Sequence, residues 1–361
     1  MFRIPRPSRY IAALQAYTRP LDIREDIIQE VVMNYGLFMR KKPFNLPLSR
    51  RTKNVVVSTN IGKIVVKRYR DHLHLDGIRY IHSIISHLTE LSFPTIKLLY
   101  TPSEIDFISL NDGQFAVFEF VDGFNYSLDF ILPADRYRLL ENSGRMLASF
   151  HQSLNGFEPQ GAHHLGFVSY TGSWQRDFNW FASRAYDLVE KSSIITIPDD
   201  KKLSDFLSSR VEIILEEFQH LEEKLNNIPL MRTIIHGDFG LHNLIFQKNG
   251  KVVLTDFETA RLEWRLADLV STLSRIRSRD TMYHFDLIKT FLTGYFSIEP
   301  IPKDEWRYLP DVWMFFKLRS VFIAWNNYFK RGNNLSSAID AYHQVKWVQD
   351  NAQTLLEFGK L

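Results

Sequence analysis

Three short apolar runs follow one another closely in the second half of the chain: Thr233-Ile234-Ile235, Leu244-Ile245-Phe246 and Val252-Val253-Leu254. Apolar runs this short, ended by polar residues, read as buried β-strands rather than as helix. The first opens into the string HGDFGLHN at 236–243, and the third, within KVVLTDFE at 251–258, opens into Asp256. The expectation is of neighbouring strands that end in carboxylates, with Gln247, Lys248, Asn249 and Gly250 turning the second run back into the third. Such a hairpin brings Asn243 and Asp256 together.

An amide oxygen beside a carboxylate is a hard, oxygen-only pair. It suits Mg²⁺, whose other positions are filled by water and phosphate oxygens. Asp238 lies one short loop away, where a carboxylate accepts the proton of a hydroxyl attacking phosphorus. Taken singly, either aspartate is also an ordinary strand-end turn residue bonded to local backbone; the joint occurrence of the two strings favours a phosphoryl-transfer site. A competing set, His236, Asp238 and His242 as transition-metal ligands of a hydrolase, leaves Asn243 and Asp256 without a role.

These strings resemble those of the aminoglycoside phosphotransferase and choline kinase family of the protein-kinase-like fold. The resemblance implies an α+β, two-lobed architecture, with a small β-rich N-lobe over 1–121 and a larger, mainly helical C-lobe over 122–361. It implies Asp238 as the catalytic base, Asn243 and Asp256 as Mg²⁺ ligands, and His236 as a supporting residue of the loop. ATP and Mg²⁺ are the implied cofactors, and a small-molecule hydroxyl the implied acceptor.

The N-terminal third offers the remaining parts in order. NVVVST at 54–59 and KIVVKRY at 63–69 read as a hairpin whose Lys67 alternates with apolar neighbours, and this lysine resembles the family's phosphate-binding strand lysine. The preceding loop holds no glycine for close approach to phosphate. Arg50, Arg51 and Lys53 either neutralise phosphate oxygens or form a solvated basic turn. Residues 77–91 carry one apolar helical face, but the mid-helix glutamate of the family is absent, with His82 and Ser83 there instead. Lys67 is thus expected to pair with another carboxylate, such as Asp76, or with none. QFAVFEFV at 114–121 reads as a strand leading to the interlobe hinge, with Glu119 and Val121 as the adenine-facing positions.

Downstream, 142–154 resembles the family's first large-lobe helix, including Gly144 and His151, and Asp268 matches a structural aspartate that braces the catalytic loop. Asp268 also reads as a helix N-cap, and both roles are compatible. Glu258 stands where protein kinases carry a glycine; it either meets the acceptor or braces the loop through Arg261. Leu207, Val211, Ile214, Phe218, Leu221 and Leu225 recur at gaps of four and three, the pattern of one continuous core helix or a coiled-coil seam. The aromatic-rich C-terminal region, including Trp306, Trp313 and Trp325, reads as core, or as a wall for a sugar or quaternary amine. Homoserine kinase type II enzymes and spore-coat proteins resemble the chain as well, the latter also around Trp174, and these relatives differ in substrate.

The bounds agree. A chain of 361 residues with 45% hydrophobic composition suffices for two lobes, and a net charge of +3 without charge blocks does not point to nucleic acid. No apolar stretch reaches membrane-spanning length, and the absence of cysteine fits a cytoplasmic protein with neither disulfides nor thiolate metal sites. A second function class remains, motivated by the atypical basic loop and the missing helix glutamate: a catalytically inactive kinase-fold binding or structural protein. The sequence leaves the acceptor, the nucleotide preference and the oligomeric state open.

Overall fold

The computed structural model describes residues 19–46, 53–71, 73–126, 128, 131, 133–163, 177–277 and 283–361. In chain order the elements are α1 (Glu25–Asn34), β1 (Phe44–Asn45), β2 (Lys53–Thr59), β3 (Gly62–Arg68), α2 (Leu75–Glu90), β4 (Phe107–Leu110) and β5 (Gly113–Glu119). Then come α3 (Pro133–Ser153), α4 (Phe178–Ser193), α5 (Pro198–Ser208), α6 (Val211–Asn226), β6 (Arg232–Ile235), β7 (Leu244–Phe246), β8 (Val252–Leu254) and β9 (Arg261–Trp264). The chain closes with α7 (Arg265–Leu273), α8 (Phe285–Phe296), α9 (Lys303–Trp306), α10 (Leu309–Arg331) and α11 (Ser336–Glu357). This is a mixed α+β fold, with an antiparallel sheet near the N-terminus and helices dominating the C-terminal part.

The described residues fall into two compact units, one within Met1–Arg136, Gly156–His163 and Gly240–Glu258, the other within Tyr137–Asn155, His164–Phe239 and Thr259–Leu361. The first unit is built on a five-stranded antiparallel sheet of order β1-β2-β3-β5-β4. One face is sealed by α1, whose Ile27, Ile28, Val31 and Val32 join Val55, Val57, Ile64, Val66, Phe115 and Val117 in one apolar cluster. The same unit holds the β7–β8 hairpin, paired Leu244↔Leu254. Its outer edges bridge to Phe124 on one side and Thr95 on the other.

The second unit is helical around a short β6–β9 ribbon, with Ile235 opposite Arg261. The strand expected to neighbour the β7–β8 hairpin therefore pairs with a later segment, 261–264, which the apolar periodicity alone did not reveal. Trp313 and Trp325 are fully buried, and Phe218 stacks on Phe315 with ring centroids 5.1 Å apart, so the C-terminal aromatics serve mainly as core. The α3–α8 crossing is a backbone contact. A Cβ on Gly144 would overlap the Phe291 carbonyl oxygen, and one on Gly294 would overlap that of Glu141.

The apolar repeat over 207–225 proves to be two helices, α5 and α6, broken at Ser209 and Arg210. Arg210 closes the break: its backbone N–H donates to Leu207 O at 3.0 Å, and its guanidinium lies over the Phe206 ring and donates to Phe206 O at 3.1 Å. The interruption leaves Leu207 and Val211 both buried, so the side-chain period runs through it unmarked.

Candidate functional site

In the first unit Lys67 lies on β3 between Asn54 of β2 and Ala116 of β5, almost fully buried. Its Nζ is 2.8 Å from Glu258 Oε1 and 3.8 Å from Asp256 Oδ1. The second oxygen of Glu258 is 3.2 Å from the Arg70 guanidinium. Two cations and two carboxylates thus balance in a site that excludes most water, the condition under which a buried ion pair is tolerated. Burial works against the lysine charge, but Glu258 and Asp256 outweigh it and hold the ammonium above its ordinary value.

The partner of Lys67 is therefore Glu258. Asp76 is taken up by Arg79 at 3.0 Å on the exposed side of α2, and Arg261 turns to Thr259 O at 2.9 Å rather than bracing Glu258. Where α2 lacks the expected glutamate it presents His82, whose Nε2 is 2.7 Å from Tyr69 Oη and whose Nδ1 is 2.7 Å from Asp106. Burial lowers the His82 pKa despite Asp106 beside it, so the imidazole is neutral, donating from Nδ1 and accepting from the tyrosine hydroxyl. That helix face is filled by a closed polar network.

The β7–β8 hairpin sets Asn243 and Asp256 at its open end. Thr255 ties them together, its N–H at 2.9 Å and its hydroxyl at 3.1 Å both donating to Asn243 O. On the other side Asn125 Nδ2 donates to the carbonyls of His242 (2.8 Å) and Leu244 (3.1 Å). Asp256 has φ 64°, a left-handed conformation that a non-glycine residue adopts at a cost of about 1 kcal/mol or more. Its Oδ1 is buried and, among the described residues, accepts no hydrogen bond. An orphaned carboxylate oxygen next to an asparagine is a donor set that fits a hard divalent cation. Among the described residues no three His, Asp or Glu side chains group as metal ligands, so the set of His236, Asp238 and His242 has no geometric support.

In the second unit the loop after β6 is held by Asp268, which is fully buried on α7. Its carboxylate accepts from the backbone N–H of His236 at 2.7 Å and of Gly237 at 2.9 Å, and lies 3.1 Å from His151 Nε2. His151 in turn meets Tyr295 Oη at 2.8 Å. Burial alone would raise the Asp268 pKa; the bonds and charge from His151 and His236 reverse it and hold the carboxylate below its ordinary range. The N-cap position of α7 belongs to Trp264, so Asp268 braces the loop rather than capping the helix. Gly237, at φ 76°, has no room for a Cβ beside Arg261 and Thr259 O. His236 is buried, its carbonyl accepting from Thr259 Oγ1 at 2.9 Å.

Asp238 projects from this loop, partly exposed, and is ion-paired with Arg275. Arg275 also donates to Phe239 O at 3.0 Å. The sequence reading missed Arg275. Its signal was spacing: Asp268, Thr272 and Arg275 fall at successive helical turns, and all three touch the 236–239 loop, Thr272 through Phe239 O at 3.3 Å.

Glu119 is the exposed last residue of β5, its N–H bonded to Lys97 O at 2.9 Å, and Val121 follows two residues on. Arg50 and Arg51, with most of their loop, and Trp174 lie outside the described residues. The described structure thus brings Lys67, Asp256 and Glu258 into one ion-pair cluster, joins Asn243 to it through the hairpin, and sets His236 and Asp238 on one loop that Asp268 of α7 holds.

Residues 43–300 match the family described as "Phosphotransferase enzyme family". A homoserine kinase of Caulobacter vibrioides is 24% identical over 259 residues, covering 71% of this chain and 73% of that protein. Among solved structures, an aminoglycoside phosphotransferase from Alicyclobacillus acidocaldarius aligns with TM-score 0.63 and 18% identity, covering 95% of this chain and 96% of the other. The amicoumacin kinase hAmiN, solved in complex with AMP-PNP, Ca²⁺ and Ami, aligns with TM-score 0.60 and 13% identity, covering 96% of this chain and 93% of the other. These structural likenesses show the kinase-like fold, and no helix among the described residues is long and apolar enough to cross a membrane. With its match spanning most of the sequence, the chain belongs to the phosphotransferase enzyme family, as a small-molecule kinase.

Proposed function

We propose that this phosphotransferase moves the γ-phosphoryl group of ATP, with Mg²⁺, to a hydroxyl of a small molecule. The observation that carries the reading is the buried Lys67–Glu258 pair beside Asp256, whose Oδ1 has no hydrogen-bond partner among the described residues. Lys67 is the residue to grip nucleotide phosphates. Asn243 and Asp256 would hold Mg²⁺, which when bound neutralises charge on the phosphate oxygens. Asp238 would accept the proton of the acceptor hydroxyl, while Asp268 and His236 keep its loop in place. Glu119 and Val121 are the backbone positions for adenine, and Arg50 supports the phosphates.

Nucleotide use is consistent with the hAmiN complex described with AMP-PNP. The names of the relatives offer homoserine, aminoglycosides and amicoumacin as acceptor chemistries. One motive for an inactive binding protein, a strand lysine lacking its helix glutamate, loses force because Glu258 supplies the missing carboxylate.

The test is a pair of substitutions. Asp256→Ala is expected to abolish stabilisation by Mg·ATP, and Asp238→Asn to keep it while losing turnover by about a thousandfold or more. Equal Mg·ATP stabilisation of wild type and Asp256→Ala would overturn the metal assignment. A panel of amino alcohols, sugars, homoserine and aminoglycosides, read by ADP release, then identifies the acceptor.

A further inference from the structure

α2 offers no glutamate to Lys67, yet it is tied to the lysine's counter-ion by another route. After α3 the chain returns to the first unit over Gly156–His163. This strap lies along one face of α2, meeting it at Asp76, Tyr80, Ser83 and His87, which fall at successive helical turns. Phe157 stacks on His87, with ring centroids 3.9 Å apart and planes 7° from parallel. The Gln160 N–H donates to Ser83 Oγ at 3.1 Å. Gly161, at φ 87°, passes so close to the helix that a Cβ would overlap the Asp76 carbonyl oxygen. Ser83, one of the two residues standing where the family has its glutamate, thus serves the strap.

His163 connects the strap to the ion-pair cluster. It is buried, with its ring edge-on to Tyr80 at 5.7 Å, and its Nε2 lies 3.0 Å from Glu258 O. A carbonyl oxygen only accepts, so Nε2 carries the proton and donates. Glu258 is thereby held at two ends, its carbonyl by His163 and its carboxylate by Lys67 and Arg70. Two residues upstream, Asp256 keeps its left-handed φ of 64°, a conformation that persists only where the surrounding contacts enforce it.

We propose that His163 is a positioning residue for nucleotide binding: its hydrogen bond to Glu258 O links the strap on α2 to the Lys67–Glu258 pair and fixes the backbone that carries Glu258 and Asp256. The helix therefore acts on the lysine through the strap rather than through a glutamate of its own. This deepens the phosphotransfer reading above and rests on it for the nucleotide.

The experiment is calorimetric titration of the full chain with Mg·AMP-PNP. His163→Phe keeps a ring beside Tyr80 and removes the donor, and is expected to weaken binding about tenfold. His163→Gln, which carries an amide N–H at the reach of the ring Nε2, is expected to recover most of that loss. In a Glu258→Gln background His163→Phe should weaken binding by no more than about twofold, because the two residues act through one contact. A histidine that only packs would lower the melting temperature in His163→Phe and leave nucleotide affinity where it was. Phe157→Ala loosens the other end of the strap without stranding a buried polar group, and should weaken binding about threefold. Unchanged affinity in folded His163→Phe overturns the proposal, as does a loss that His163→Gln shares, or one that adds in full to that of Glu258→Gln. Where His163→Phe does not fold, unchanged affinity in Phe157→Ala overturns it. Wild type that takes up no Mg·AMP-PNP sinks the phosphotransfer reading and this one with it; wild type that binds, beside an indifferent His163→Phe, sinks this one alone.

Discussion

Glu258 Oε1 lies 2.8 Å from Lys67 Nζ, and the glutamate comes from the segment just after Asp256 rather than from α2. Removing it would leave Lys67 and Arg70 facing each other without their shared counter-ion. Glu258→Ala is expected to cost about 3 kcal/mol of stability in urea unfolding. Glu258→Gln should fold better and raise the KM for ATP about tenfold with a smaller effect on the acceptor KM. An unchanged ATP KM in both variants would show that the pair does not set the lysine for nucleotide.

Asp268 is the common acceptor for two backbone N–H groups and the neighbour of His151. Asp268→Ala strands all three buried groups, at a cost of about 3 kcal/mol, and frees the loop that carries Asp238. Thermal denaturation with an activity assay at low temperature separates the two effects. Full activity in the folded variant would show that the brace is unnecessary for turnover.

A pH effect follows from His82, whose pKa burial lowers from the ordinary 6.5. The unfolded chain then takes up the proton more readily than the folded one. Stability from the neutral imidazole is therefore complete above the unfolded value and is lost as the pH falls below it. Urea unfolding of the wild type should weaken between about pH 7 and pH 5.5, and His82→Gln should flatten that slope. Identical slopes would remove His82 from the account.

The α3–α8 crossing leaves no space at Gly144, where a Cβ would overlap Phe291 O. Gly144→Ala improves helix propensity by about 1 kcal/mol in the abstract. The forced separation of the helices outweighs this, for a net loss of roughly 1–3 kcal/mol and a lower melting temperature. A stabilised Gly144→Ala variant would mean that the helices separate at no cost.

Much of this was legible because it is local. Strand runs ending in polar residues gave β6, β7 and β8, and the four-residue turn gave the β7–β8 hairpin that joins Asn243 to Asp256 through Thr255. Alternation placed Lys67 within its strand. What escaped depends on sequence-distant pairing: the partner of β6 lies at 261–264, the partner of Lys67 is 191 residues away, and the α5–α6 break preserves the apolar period across it. Arg275 lay between these cases, readable from its helical spacing to Asp268 but without chemical meaning until the loop it touches was in place.

The β7–β8 hairpin fixes one further property. Its tip, where Gln247 N–H bonds to Lys251 O at 2.9 Å and Gly250 takes φ 85°, is exposed at Asn249, Gly250 and Lys251, and the open end is locked by Thr255 and Asn125. Length at the tip is thus decoupled from spacing at the base. Residues 248–250 form an insertion point where a peptide tag or fluorophore-bearing loop can be grafted to report on the nearby Asn243 and Asp256 without disturbing the hydrogen bonds that hold them.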